Sequence, residues 1–364
     1  MADDTENVAP ASGLSSGGFG LVSRREVAAF ARELSILIDV GMPLLKALKL
    51  MSERATNAKL SGIIREVAGS VERGNSLASS LANYPKVFSS LFFNIVKVGE
   101  VGGVLDQSLR RLANFLEEEN RLRGKIFYAM LYPCMVVLVC LAVLIVILTY
   151  VIPVFLNVFK EGDVELPLPT KIVEATGNFI SGYWPLLVGL LVILIILFFA
   201  FRKTPAGRKV IDTLKLRTPI LGRLGVKIVL ARVTGTFATL IKSGIPILNS
   251  IKIVAQTSNN TLIEEAFSNA AEEVEKGGNL SASLGQAGII PPVLLDMINI
   301  GEEAGALDVV LEKASNNLQE EVDNTLEGLT AILEPLLVII MGLVVLFVAV
   351  AVFLPYMRLD QAIL

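Results

Sequence analysis

The sequence has no histidine among its 364 residues. The side chain most often used as a general base near neutral pH, and the commonest metal ligand, is therefore missing. Cysteine is nearly as scarce: Cys134 and Cys140 lie six residues apart inside one apolar run. On a helix that spacing points them to different faces, so they cannot bridge each other, and nothing implies an oxidising compartment. No Gly-x-x-x-x-Gly-Lys-Ser/Thr occurs; Gly177 and Gly182 have the glycine spacing, but Tyr183 and Trp184 follow where Lys and Ser/Thr are required. Gly17-Gly18-Phe19-Gly20 has linker composition, with no strand before it. No span holds the paired aspartates of an intramembrane protease. Net charge is only −3, which offers no footprint for nucleic acid. Neither a catalytic apparatus nor a cofactor site is expected.

Apolar residues dominate instead, at 53% of the chain with a mean hydropathy of +0.64, beside 18% charged residues. That mixture predicts a membrane protein with substantial water-exposed parts. No charged residue stands between Lys125 and Lys160. Three runs are long and apolar enough to cross a bilayer, at 130–155, 183–201 and 335–356. Tyr132, Tyr150, Tyr183, Trp184 and Tyr356 lie near their ends, where amphipathic aromatics favour the interface.

The remainder is one unit written twice. Gly41-Met42-Pro43-Leu44-Leu45 returns as Gly244-Ile245-Pro246-Ile247-Leu248, 203 residues on. Gly99-Glu100-Val101-Gly102-Gly103-Val104-Leu105-Asp106 returns as Gly301-Glu302-Glu303-Ala304-Gly305-Ala306-Leu307-Asp308, 202 residues on. Leu131-Tyr132-Pro133 and Leu333-Glu334-Pro335 keep that second offset. A register held this long marks a duplication.

Within each unit the pattern is helical throughout. Ser23 precedes Glu26 at capping-box spacing, and Val27, Phe30, Leu34, Leu37 and Ile38 follow on one face. Glycines 41 and 74 and prolines 43 and 85 punctuate the rest, giving about six helices per bundle with no strand pattern. After each octet an amphipathic helix runs straight into a span. For the first this makes an element of roughly 70 Å at about 1.5 Å per residue.

The expected all-α organisation is a disordered tail (1–22), a cytoplasmic bundle (23–129), a first span (130–155) and a short external loop (156–182). A second span (183–201), a second cytoplasmic bundle (202–334), a third span (335–356) and an external C-terminus (357–364) complete it. Orientation follows the basic flanks Arg121, Arg123 and Lys125 before the first span and Arg202, Lys203, Arg208 and Lys209 after the second. The second bundle separates its charges: 202–252 holds eleven Lys/Arg and one acid, 253–334 two Lys and fifteen acids. The basic part is expected to face anionic headgroups and the acidic part a protein partner. The apolar segment Phe88–Val98 suggests either self-association or the central helix of a bundle.

Candidate partner contacts are the octet acids Glu100, Asp106, Glu302, Glu303 and Asp308, together with Glu334, which stands where the first repeat has Tyr132. Asp106 and Asp308 also suit the positive first turn of a helix, and Glu334 lies close to hydrocarbon, where a lone carboxylate is costly.

The paired octets, the Gly-x-Pro-Leu/Ile-Leu turns, Leu131-Tyr132-Pro133 and Leu333-Glu334-Pro335, Tyr150-Val151-Ile152-Pro153-Val154-Phe155 and Glu320-Glu321-Val322-Asp323 together resemble the type II secretion F family over 24–357. Many members carry a further segment before the first repeat, where this chain has its Gly/Ser tail. The resemblance implies a non-enzymatic inner-membrane platform of type II secretion or type IV pilus assembly. Its partners would be a cytoplasmic hexameric assembly ATPase, pilin or pseudopilin subunits, other inner-membrane assembly components and further copies of itself. A scaffold or receptor without a motor stands as the alternative, and then a transporter, which polar residues at mid-span would favour.

Overall fold

The computed structural model describes residues 21–154, 167–218 and 221–363, and every element among them is a helix. The expected tail, as far as residue 20, and residues 155–166, which include the start of the expected loop, lie outside the described residues.

Two compact units form, one reaching to Leu116 and the other starting at Glu117. The first is made of α1 (Arg24–Asp39), α2 (Leu44–Arg54), α3 (Ala58–Glu72), α4 (Leu77–Ala82), α5 (Ser90–Val101) and the start of α6 (Leu105–Val146). The Ser23 hydroxyl accepts from the Glu26 N–H at 3.2 Å and the Ser23 N–H donates to Glu26 Oε2 at 2.6 Å, the capping box that the spacing predicts. Phe88 and Phe92 are fully buried beside Phe30, with Phe88 5.5 Å and Phe92 6.2 Å from its ring. Leu91, Ile95 and Val96 are buried too, so the apolarity of 88–98 belongs to the interior of this unit. Phe93 is half-buried.

The second unit holds the rest of α6, α7 (Leu168–Lys203), α8 (Pro205–Arg217), α9 (Leu221–Lys242), α10 (Ile247–Thr257), α11 (Thr261–Glu275), α12 (Leu280–Gly285), α13 (Pro292–Glu303) and α14 (Leu307–Ile363). Its α10, α11 and α12 start 203 residues after α2, α3 and α4, and α13 and α14 start 202 after α5 and α6. The duplication is thus visible helix by helix. α8 has no counterpart among the described residues of the first repeat. The boundary also differs from the expected one: Leu122 packs with Leu224, Val322 and Leu326, so the turns of α6 after Leu116 belong to the second unit and not to the first bundle.

Three helices are long and apolar enough to cross a membrane: Leu105–Val154, Gly222–Lys242 and Leu307–Leu354. A fourth candidate is α7, bent between Leu186 and Val188 just past Pro185, whose ring removes a backbone donor. In the first and third of these only 11% and 6% of the apolar window is buried, against 50% in Gly222–Lys242. These two therefore present apolar, exposed surfaces over their hydrophobic windows. The other, within α9, packs into the unit and carries Lys227, Arg232 and Lys242, each paired to an acid on another helix.

Beyond α6 the chain makes a π turn, Ile147–Val151. A Cβ on Gly177 of α7 would lie 2.6 Å from the Leu148 carbonyl oxygen, so glycine is what admits this close approach. Leu148, Ile152, Val173 and Ala351 form a small core there, and the Thr170 hydroxyl donates to the Ala351 carbonyl at 2.6 Å. The far ends of α6 and α14 are so tied to the start of α7.

Candidate partner-contact site

The two octets are built alike, and each is first a piece of architecture. In the first, α5 ends at Val101 and α6 begins at Leu105. To reverse direction in so few residues the chain uses Gly103 at φ +67°, a left-handed conformation that glycine adopts without cost, and the Val104 N–H then closes on the Gly99 carbonyl at 2.9 Å. Gly305, at φ +63°, and the Ala306 to Gly301 bond, also 2.9 Å, repeat the device. The reversal presses α5 against α6. A Cβ on Gly99 would stand 2.5 Å from Ser108 Oγ and 2.6 Å from Ser108 Cβ. On Gly301 the corresponding atom would be 3.1 Å from Leu307 Cα.

The glutamate that follows has a defined task. Glu100 reaches back to the short helix α4, accepting from the Leu77 N–H at 2.7 Å and the Ala78 N–H at 3.1 Å. With Ser76 Oγ accepting from the Ser79 N–H at 3.1 Å, the first three amides of α4 all have acceptors, and the carboxylate sits at the positive end of the helix. Glu302 treats α12 in the same way, both its oxygens taking the Leu280 N–H at 3.0 and 3.1 Å. Both glutamates are half-buried. The sequence made them candidate partner contacts; the structure shows them holding an internal helix terminus 22 or 23 residues away.

Glu303 differs. It is exposed, and its one described bond is a 2.8 Å donation from the Asn299 amide on its own helix. Its counterpart in the first repeat is Val101, which is 84% exposed, so the equivalent tips differ in chemistry. Asp106 and Asp308 are half-buried in the first turns of α6 and α14.

Glu334 is exposed on α14, directly before Pro335. It lies at the lower end of a groove of about 540 Å³ between α6 and α14, whose walls include Lys125, Ala129, Asp323, Leu326 and Glu327. Lys125 and Asp323 form an ion pair across it. The structure therefore gathers Glu334 with Asp323 and Glu327, two acids that were not among the candidate contacts. Asp323, Glu327 and Glu334 recur at steps of four and seven, which places them on one helix face.

The charge separation along the second repeat closes up on folding. Lys209 pairs with Glu265 at 3.6 Å, Lys227 with Glu321 at 2.9 Å, Lys242 with Glu312 at 2.8 Å and Lys252 with Glu275 at 3.1 Å. Sequence blocks of opposite sign become neighbouring helices, and these four lysines of the basic part each meet a glutamate of the acidic part.

Octet-linked helices that continue into long apolar spans define a helical membrane protein. The chain belongs to the family of type II secretion system protein F, whose model matches residues 30–153 and again 233–355. The two matches begin 203 residues apart and end 202 apart, in step with the repeat. The chain is 37% identical over 339 residues to the type IV pilus assembly protein PilC of Thermus thermophilus, covering 92% of this chain and 82% of that one. With PilC of Myxococcus xanthus it shares 34% over 346 residues, covering 95% and 83%. With type II secretion system protein F of Xanthomonas campestris it shares 33% over 334 residues, covering 92% and 82%.

Proposed function

We propose that this protein is a non-enzymatic, multi-pass platform of the bacterial inner membrane that couples a cytoplasmic hexameric ATPase to the insertion of pilin-like subunits into a growing pilus or pseudopilus. Relatives named for type IV pilus assembly and for type II secretion support the general role. The observation that carries the coupling is the continuity of α6 and α14: each starts at an octet in a water-exposed bundle and runs on as helix into an uncharged span. A helix resists bending and compression over such lengths, so a displacement applied to the bundle arrives in the membrane. Both bundles face the cytoplasm in this reading, with 156–182 and the C-terminus outside.

The test is to interrupt the continuity without removing anything. A flexible Gly-Ser insertion after Gly124 should leave membrane insertion and co-purification with the ATPase intact while abolishing filament assembly. Normal filaments from that variant would defeat mechanical coupling. Failure of the unaltered chain to co-purify with any hexameric ATPase would favour a scaffold without a motor. The topology is checked separately with single cysteines at positions 163 and 316 in a chain lacking Cys134 and Cys140. An impermeant thiol reagent should label 163 in intact cells and 316 only after lysis.

A further inference from the structure

Ion pairs take up many charges of the second unit, and the described residues left without a partner, Arg223 and Glu320 among them, include four that bear on the membrane edge. Glu327 and Glu334 line the groove between α6 and α14, and neither has an ion-pair or hydrogen-bond partner among the described residues. Arg202, at the end of the α7 span, and Arg208, at the start of α8, are exposed and equally without a described partner, whereas nearby Lys209 is held by Glu265. A carboxylate at the edge of hydrocarbon is unfavourable unless a cation meets it. The groove already accommodates one cation of the right kind, since Lys125 pairs with Asp323 in it.

The geometry points to a second copy of this chain as the occupant: the Arg202–Arg208 turn of one copy docks on the Glu327–Glu334 face of its neighbour. This rests on the topology given above, which puts both features at the inner interface. Arg202 is the first charged residue after one span and Glu334 the last before another. Copies inserted in the same bilayer in the same orientation are related by an axis along the membrane normal. Their acidic and basic features therefore meet at equal depth without any tilt. The wall of the groove adds apolar contact through Ala129 and Leu326. Because donor and acceptor surfaces lie on different helices, each subunit offers both, and the contact can be made twice in a dimer or once per subunit around a ring.

The test uses the full-length chain in native membranes, with Cys134→Ala and Cys140→Ala. Two differently tagged copies are co-expressed, one carrying Arg208→Cys and the other Glu334→Cys, and mild oxidation is applied. A mixed-tag disulfide product is expected. Adding Glu327→Arg to the second copy, or Arg202→Glu to the first, should cut its yield about tenfold, the size of one well-placed interfacial charge pair. Making both changes together should restore it. Absence of the mixed product overturns the inference, as does a yield indifferent to the charge reversals, which would mean that the arginines meet lipid headgroups. Capture of a different membrane protein by the cysteine at 334 would assign the groove to that protein instead. A chain that shows no cross-link yet binds the ATPase and builds filaments would remove this contact and leave the platform reading standing.

Discussion

Lys125 on α6 and Asp323 on α14 form an ion pair, and each stands one turn from the position its partner would hold if the repeats were superposed. The duplicate of Lys125 is Glu327 and the duplicate of Asp323 is Arg121, so equivalent places on the two span-bearing helices carry opposite charge. Two copies of one helix would repel at this junction; this pair attracts. The Leu122, Leu224, Val322 and Leu326 cluster supplies the apolar part of the same contact.

Exchanging the two charges tests the pair directly. Lys125→Asp and Asp323→Lys should each weaken the junction, and the double exchange should recover most of the loss. Both side chains are partly exposed, at 42% and 30%, so a coupling energy of about 0.5–1 kcal/mol is expected from a double-mutant cycle on urea unfolding in detergent. Additive single effects would show that the pair is incidental.

The two adjacent octet acids should separate cleanly. Glu302→Ala leaves the Leu280 amide without its acceptor and should cost about 1–2 kcal/mol, read as a lowered unfolding midpoint. Glu303→Lys changes an exposed charge and should stay within about 0.5 kcal/mol. Loss of filament assembly in the Glu303 variant at unchanged stability would place a partner at that tip; a stable, fully active Glu303→Lys chain would leave the tip without one.

Gly99→Ala should destabilise by about 1–3 kcal/mol, because the new methyl group meets Ser108 backed by its own helix. The same change at Gly301 should cost less, since its nearest contacts are at 3.1 Å and beyond. Ser108→Gly in the Gly99→Ala background should recover part of the loss, as it removes both close atoms. Equal midpoints for the two alanine variants would contradict this account.

Acid should loosen the first unit through Glu26. Burial raises its carboxyl pKa, but the Ser23 N–H and hydroxyl and the Asn57 amide outweigh that and hold it below the ordinary 4.5. A carboxyl depressed on folding contributes stability that is fully present above the unfolded value and is lost as pH falls through the folded one. Urea midpoints should therefore drop as pH passes below about 4.5, and Glu26→Ala should flatten that part of the profile. An unchanged acid slope in the variant would mean that other carboxylates carry it.

Much of the helix order was legible because it is written in local chemistry. Ser23 with Glu26 and Gly41 with Pro43 are signals read within a few residues, and the second of them could be checked against its copy at Gly244 and Pro246. Glu100 and Glu302 were visible as residues and not as acceptors, since their donors lie 22 or 23 positions away and no local pattern links a turn to the start of an earlier helix. The pairing of Lys242 with Glu312 and of Lys252 with Glu275 was hidden for the same reason: a charge plot along the chain separates what the hairpins bring together. The end of the first unit at Leu116 was equally illegible, because α6 continues unbroken through it and only packing marks the change.

The tether from Glu100 to the start of α4 makes a stapled corner of each octet. Its glycines and glutamate fasten the α5–α6 turn to a helix behind it, while the residue just after the glutamate points outward and is free to change, as Val101 and Glu303 show. The same hinge plate is thus fitted with two different handles. The two corners end in chemically opposite tips, a greasy one on the first unit and an acidic one on the second.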